Sequence, residues 1–344
     1  MAECKKSLGD CKVKAAVISK IGSSWQILER PIPEPDYGQV LIKIHACGLC
    51  GTDLHIHSGV IPTPFPCIPG HEPVGEIVAV GAGVLDLHVG DRVGVSWVQK
   101  GCGRCTTCQS NNPKYCPNAV TWKEMGGGVA QYMVAWASGC TLLPTALSYE
   151  HAAPLFCAGF TIASGFWNGN PKPGETVGVF GIGGLGHLAI QYAKAKGHRV
   201  IAITHQEDKK ESAKKLGADE VCIVHDGVCD DIAMLGGIDL LLHTGNASDS
   251  LTALLPAINP EGRIVIMGIA ASPVQAYPLE IIPKQISIIG SCQNKRSDLI
   301  DIIELTAQGT IQPMIEVYPL DEIAHVVDKL QRGAVRFRAV ITIF

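Results

Sequence analysis

The run Gly181-Ile182-Gly183-Gly184-Leu185-Gly186, set between a strand pattern and a helix pattern, restricts the fold of this chain more than any other stretch. Glu175 to Phe180 is a short apolar segment of strand character. Leu185, Leu188, Ala189, Tyr192 and Ala193 then recur at helical spacing, Gly197 closes the helix, and Val200 to Thr204 reads as the next strand. A glycine-rich turn between strand and helix is common by itself. With both flanking elements in order, the string predicts a phosphate-binding loop. The first glycine makes the tight turn, the second lets the backbone approach a pyrophosphate, and the third lets helix and strand pack closely. The free N–H groups and the dipole of the helix start then favour the anion. The cofactor contacts expected here are Gly181, Gly183, Gly184, Leu185 and Gly186.

The βα alternation continues downstream. A polar helix is expected from Glu207 to Leu216, followed by strands at Val221–Val224, Ile238–Leu242, Arg263–Met267 and Ile286–Ile289. Alternation of this kind predicts a doubly wound parallel sheet. Lys295-Arg296-Ser297-Asp298 opens a helical segment, and Arg336 to Ile341 reads as a last strand. Upstream the texture is different. Val13–Ile18, Val40–Ala46, Val74–Val80 and Arg92–Val98 read as strands separated by glycine turns and by the rigid Pro31-Ile32-Pro33-Glu34-Pro35 connection. With 344 residues, 47% of them hydrophobic, the chain has material for two cores. A net charge of −4 leaves no basic surplus for nucleic acid. No apolar run reaches membrane-span length. The start, Met1-Ala2-Glu3-Cys4-Lys5-Lys6, lacks the apolar core of a signal peptide, so a cytoplasmic location is expected.

In a reducing compartment the fourteen cysteines are not a disulfide framework. Cys102, Cys105, Cys108 and Cys116 stand out, because two-residue gaps fold successive thiolates onto one ion and the longer excursion delivers the fourth. Four cysteines with no open position make a closed structural zinc site, with an iron–sulfur cluster or four unligated thiols as alternatives. A second set is more dispersed. Gly48-Leu49-Cys50-Gly51-Thr52-Asp53-Leu54-His55 and Gly70-His71-Glu72 offer a thiolate, an imidazole, a carboxylate and a hydroxyl, with Cys157 as the candidate third ligand of a catalytic zinc. By spacing alone, a buried cysteine and an unrelated histidine are the commoner explanation.

The second strand of the nucleotide unit ends in Thr204-His205-Gln206-Glu207. NAD binders usually carry an acid at that strand end, for the ribose 2′-hydroxyl. Here Thr204 repels no 2′-phosphate, His205 and Lys209 supply donors or charge, and Glu207 and Asp208 read as a solvated helix start. The expectation is NADP(H) in preference to NAD(H).

Taken together, these motifs resemble the zinc-containing medium-chain alcohol dehydrogenases over nearly the whole length, and within them the cinnamyl-alcohol-dehydrogenase-like, NADPH-dependent aldehyde reductases. The resemblance rests on Gly48–His55, Gly70-His71-Glu72, the four-cysteine run, Cys157-Ala158-Gly159-Phe160-Thr161 and the glycine loop, all in family order. It implies an α/β architecture. A GroES-like β-rich catalytic domain, over 1–158 and 293–344, carries both zinc sites, and a Rossmann domain covers 159–292. By position, Cys50, His71 and Cys157 match the catalytic zinc ligands, and Glu72 matches a carboxylate that can bind the ion transiently. Asp53 matches the group that orients His71, Thr52 the hydroxyl on the substrate oxygen, and His55 the outer end of a proton relay. Arg338 matches an arginine near the pyrophosphate, and Ile269 joins the implied cofactor contacts. Trp97, His57 and Trp122 fall where the family's substrate pocket lies. Cys47 is read as a core residue. Gly51 departs from the basic residue that many members carry after the ligand cysteine.

The implied reaction moves a hydride between NADP(H) and a primary alcohol or aldehyde, with two zinc ions per chain, in a homodimer or tetramer. An NAD-dependent polyol or secondary-alcohol dehydrogenase is a rival, disfavoured because polyol-type relatives often replace the third cysteine by a carboxylate. A nucleotide-sensing or structural protein is another, disfavoured because a binding module needs no open metal position.

Overall fold

The computed structural model describes residues 12–224, 230–245, 249–269 and 273–344. Cys4, Cys11 and Cys229 lie outside the described residues, as does the Met1–Lys6 segment.

The chain divides into two compact units. One comprises residues through Cys157 and from Met314 onward, and the other is Ala158–Pro313. The first unit begins with an antiparallel hairpin of β1 (Lys12–Ile18) and β2 (Trp25–Pro31). The second hairpin strand was not foreseen. Its Glu29-Arg30 pair and terminal Pro31 obscure a short alternating pattern, and only Trp25 is buried. β3 (Gln39–Leu49) is the long central strand, followed by a short helix, Gly51–His57. β4 (Glu72–Val80) pairs antiparallel with β3, so that Gly48 faces Glu72. β5 covers Arg92–Val95 and β6 Val98–Lys100. The strand expected over 92–98 is therefore broken at Ser96-Trp97. β5 stays in the main sheet, whereas β6 pairs with β7 (Val120–Thr121) in a separate ribbon. β8 (Tyr132–Trp136) and β9 (Cys140–Leu142) complete this part.

The second unit is an all-parallel six-stranded sheet. Its strands are β10 (Thr176–Phe180), β11 (Arg199–Thr204), β12 (Glu220–Ile223), β13 (Ile238–His243), β14 (Ile258–Ile266) and β15 (Ser287–Gly290). Their order, β12-β11-β10-β13-β14-β15, reverses between β10 and β13. That is the doubly wound dinucleotide-binding topology expected from sequence, and such sheets bind ligands at the carboxyl ends of the strands beside the reversal. The central strands are apolar because helices cover both faces: Val177, Val179, Ile201, Ile203, Leu240 and Leu242 are fully buried. The helix Gly186–Ala195 lays Leu188, Ala189, Tyr192 and Ala193 inward, as the spacing predicted. The expected helix from Glu207 opens instead as a 3₁₀ turn, Glu207–Lys209, before α-helix at Lys210–Lys215.

The chain returns to the first unit at Met314, not at 293. The helix Arg296–Ala307 belongs with the second unit, burying Leu299, Ile302 and Ile303 while Ser164 donates to Asp298 at 2.9 Å. A sequence reading cannot find that partner, since it lies 134 residues away. β16 (Ile315–Pro319) and β17 (Arg338–Thr342) then finish the first unit's seven-stranded sheet, with β17 paired to β3. Among the described residues, no helix is long and apolar enough to cross a membrane.

Candidate active site and metal centres

Cys50 ends the long strand β3 and caps the helix Gly51–His57. Its sulfur accepts from the Thr52 amide at 3.3 Å, while its own amide donates to Asp53 Oδ2 at 3.0 Å. Asp53 is 1% exposed, and its other oxygen accepts from the Gly70 amide at 3.2 Å. One buried carboxylate thus ties the Cys50 turn to the Gly70-His71-Glu72 turn. The same Oδ1 stands 3.4 Å from His71 Nδ1, in electrostatic contact but without the alignment of a formed hydrogen bond. That contact leaves Nε2 facing Cys50 Sγ at 3.4 Å.

Cys157 follows the 3₁₀ turn Ala153–Phe156 and brings its sulfur to 3.9 Å from that of Cys50. Glu72 Oε1 lies 3.7 Å from His71 Nε2. The donor atoms of Cys50, His71, Glu72 and Cys157 all fall within 4.8 Å of one another. Tetrahedral zinc with bonds of about 2.3 Å to sulfur and 2.0 Å to nitrogen separates its sulfurs by roughly 3.8 Å, and sulfur from nitrogen by roughly 3.5 Å. The observed spacings match both, so these side chains fit the ion.

The electrostatics point the same way. The hydrogen bond from Cys157 draws the Cys50 thiol well below its ordinary range against the cost of burial, and pushes Cys157 well above. Burial alone would lower His71, but Asp53 and the Cys50 sulfur outweigh it and hold it well above the usual imidazole value. Burial lifts Glu72 to about 7, with Arg338 pulling against it. The centre therefore attracts positive charge, which a dication supplies to all the donors at once.

Two features of the site were not read from sequence. A side chain at Gly48 would run into the Glu72 carboxylate, so that glycine makes room for the acid. Gly70 has φ +94°, and a Cβ there would strike Val129 and the sulfur of Cys47. Cys47 itself is fully buried, as expected for a core residue.

Arg338, expected near a pyrophosphate, is 3% exposed, and its guanidinium donates to Glu72 Oε1. Trp97 and His71 meet in a T-shaped arrangement with ring centres 5.2 Å apart, and buried Trp122 lies 6.3 Å from the same imidazole. The two indoles meet at 5.7 Å. His57 is engaged elsewhere: its Nε2 bonds the Ser23 carbonyl at 2.8 Å and its ring packs edge-on to Trp25. Thr52 and His55 are both half-buried on the helix that Cys50 caps.

Cys102, Cys105, Cys108 and Cys116 form the second cluster. The Cys102 amide donates to Cys116 Sγ at 3.4 Å, and Gly101 leaves room for Cys108 Sγ. The amides of Arg104 and Cys105 lower the Cys102 thiol. The Thr107 hydroxyl, 3.1 Å away, and the Cys108 amide bring Cys105 down to about 6. Amides and a hydroxyl aimed at sulfurs favour thiolates, the form that binds metal. Burial instead pushes the Cys108 thiol up to about 11, a cost that a bound dication would offset, and the four sulfurs together can close a tetrahedron.

In the second unit Gly181 has φ +87°, and a Cβ at Gly186 would strike the Gly181 carbonyl, as the glycine roles require. Gly183, Gly184 and Leu185 are partly exposed at the carboxyl end of β10. Thr204 is buried at the end of β11, its hydroxyl accepting from the Gln206 amide at 3.2 Å. His205 is exposed, with Nδ1 3.3 Å from the Val224 carbonyl. Glu207 faces Lys210 at 3.8 Å, Lys209 is half-exposed on the same turn, and Ile269 is 47% exposed beyond β14. Thr244, Gly245 and Gly268 were missed. Thr244 donates to the Gly181 carbonyl at 2.7 Å, and a Cβ at Gly268 would collide with the Gly245 carbonyl. Small residues directly after β13 and β14 were the available signal.

Residues 36–145 match the profile of the alcohol dehydrogenase GroES-like domain, and residues 184–308 that of the zinc-binding dehydrogenases. An alcohol dehydrogenase from Geobacillus stearothermophilus is 37% identical over 96% of this chain and 100% of its own. Acetophenone reductase from Geotrichum candidum, solved in complex with NAD, superposes with a TM-score of 0.86 at 26% identity, over 97% of this chain and 98% of its own. CAD from Helicobacter pylori, solved with NADP(H), superposes with a TM-score of 0.87 at 25% identity, over 96% and 98%. The chain belongs to the zinc-containing medium-chain alcohol dehydrogenase family.

Proposed function

We propose that this protein interconverts primary alcohols and aldehydes with NADP(H), at a zinc ion held by Cys50, His71 and Cys157. The observation that carries this reading is the convergence of those three donors at tetrahedral spacing. Bound zinc supplies Lewis acidity at the substrate oxygen, and the bound nicotinamide supplies or accepts the hydride. The chain's own residues do the rest. Two thiolates and one imidazole hold the ion near neutrality, with Asp53 fixing the imidazole and Arg338 holding Glu72 as an alternate ligand. Thr52 gives the proton to the substrate oxygen in the reductive direction, and His55 replenishes it from solvent. Trp97, with Trp122 behind it, forms an apolar wall suited to an aromatic substrate.

NADP(H) preference rests on the Thr204 strand end, where no carboxylate meets a 2′-phosphate, with His205 and Lys209 following. Gly181 to Gly186, with Ile269, receive the remainder of the cofactor. The four-cysteine cluster holds a second, structural zinc. Two surface features support a homodimer, from which a tetramer could be built. Among the described residues the edge strand β15 has no neighbour on its outer side, and Leu279 and Ile282 stand 88% and 71% exposed. Eleven free cysteines among the described residues agree with a reducing cytoplasm. The test is oxidation of NADPH by an aromatic aldehyde, with and without chelator, in the wild type and in Cys50→Ser. Loss of one metal and of turnover in the variant is expected; unchanged zinc content would refute the ligand assignment.

A further inference from the structure

Gly183 carries an unusual load. Its carbonyl accepts from the amide of His187 at 3.1 Å, as a first helical turn requires, and it is also contacted by the imidazole Nδ1 of the same residue at 3.1 Å. A carbonyl has two lone pairs and only accepts, so Nδ1 carries the proton. His187 is fully buried within the helix Gly186–Ala195, where water does not compete for that bond. An apolar residue would fill such a place without the cost of burying an imidazole.

The geometry points to a task. A trans peptide is planar, with its C=O and following N–H antiparallel. Fixing the Gly183 carbonyl down the helix therefore fixes the Gly184 N–H in the opposite direction, out of the helix start. The loop is uncrowded here: a Cβ at Gly183 would meet nothing within 4 Å, and Gly184 is partly exposed. Between two flexible glycines a single backbone hydrogen bond holds this peptide less firmly than two, and the imidazole supplies the second. We propose that His187 is a positioning residue for the nucleotide pyrophosphate: its imidazole locks the Gly183–Gly184 peptide so that the Gly184 N–H is presented to the anion before it arrives. The proposal rests on the reading of this loop as the dinucleotide site. Pre-organisation of this kind lowers the ordering cost of binding.

The test compares His187→Leu, which removes the donor, with His187→Asn, whose Nδ2 takes nearly the place of the imidazole Nδ1. Losing one buried neutral hydrogen bond weakens binding by about 3- to 10-fold. His187→Leu should raise the Kd of ADP-ribose and the KM for NADPH by that factor. It should change kcat and the Kd of adenosine, which has no pyrophosphate, much less. His187→Asn should restore most of the affinity. A merely structural role would lower the melting temperature of His187→Leu and weaken adenosine and ADP-ribose alike, which overturns the proposal, as would unchanged ADP-ribose affinity in His187→Leu. If the wild type binds neither ADP-ribose nor NADPH, the reading of the loop fails instead. If His187→Leu does not fold, His187→Asn against His187→Gln, whose longer side chain cannot reach back with the same geometry, repeats the comparison.

Discussion

Replacing Asp53 by asparagine removes one negative charge and one acceptor from the point where both ligand-bearing turns meet. The carboxylate is 1% exposed and accepts from the Cys50 amide at 3.0 Å and the Gly70 amide at 3.2 Å, besides standing 3.4 Å from His71 Nδ1. A carboxamide keeps one oxygen, so one of those amides then faces an NH₂, donor against donor. The hydrogen bond lost is to a charged group, about 1.5–3 kcal/mol, and the orphaned buried amide adds about 1–3 kcal/mol. A destabilisation of roughly 2.5–6 kcal/mol is therefore expected in Asp53→Asn. Part of it should appear as looser metal, because removing a partner of a ligating histidine typically costs about 10- to 100-fold in affinity. Chelator competition read by atomic absorption, alongside urea unfolding of the metal-loaded protein, separates the two. An Asp53→Asn variant that holds zinc as tightly as the wild type and unfolds at the same urea concentration would refute the clamp.

The other expectations are more local. Gly48→Ala should destabilise the first unit by about 1–3 kcal/mol in a thermal melt, through overpacking, and should weaken the catalytic metal, because the added methyl displaces Glu72. Cys105→Ser should lose one metal ion and lower the melting temperature, with proteolysis concentrated in residues 102–116, while the metal on the Cys50 cluster is retained. With NADPH and NADH as competing cofactors, kcat/KM should favour NADPH, and Thr204→Asp should reverse the order. Burial would raise Glu175, but Arg263 and the Lys172 amide outweigh it and hold the carboxyl below its ordinary range. A depressed carboxylate contributes stability that is present above its unfolded pKa and lost as the pH falls through the folded one. The urea midpoints of wild type and Glu175→Gln should therefore differ at neutral pH and converge as the pH falls below the ordinary carboxylate range.

Features that depend on short spacing were legible in the sequence. The glycine loop and the four-cysteine run each need only a few residues, because a turn or a helix start defines their geometry. The parallel sheet was legible because both its faces are covered, which leaves uninterrupted apolar strands. Partners separated by long stretches of chain were not. Cys157 meets Cys50 across 107 residues, and Arg338 meets Glu72 across 266. Cys157 could be named from sequence only as a candidate, and the family resemblance then matched it to the ligand set; the Arg338–Glu72 pair was not anticipated at all. The return of the chain at Met314 rather than 293 has the same origin, since the helix Arg296–Ala307 is amphipathic either way and only the position of Ser164 and Tyr192 decides its host. The break of the strand at Ser96-Trp97 is a tertiary effect too: a β-favourable run leaves the sheet where Trp97 turns to His71.

The most direct test is cobalt substitution of the metal removed first by chelation, followed by its visible spectrum in the wild type, Cys50→Ser and Cys157→Ser. A four-coordinate cobalt with sulfur-to-metal charge-transfer bands in the wild type, perturbed separately by each substitution and shifting when an alcohol is added, is the expected result. A spectrum indifferent to Cys157→Ser, or an octahedral cobalt without sulfur bands, would contradict an open metal centre built from Cys50, His71 and Cys157.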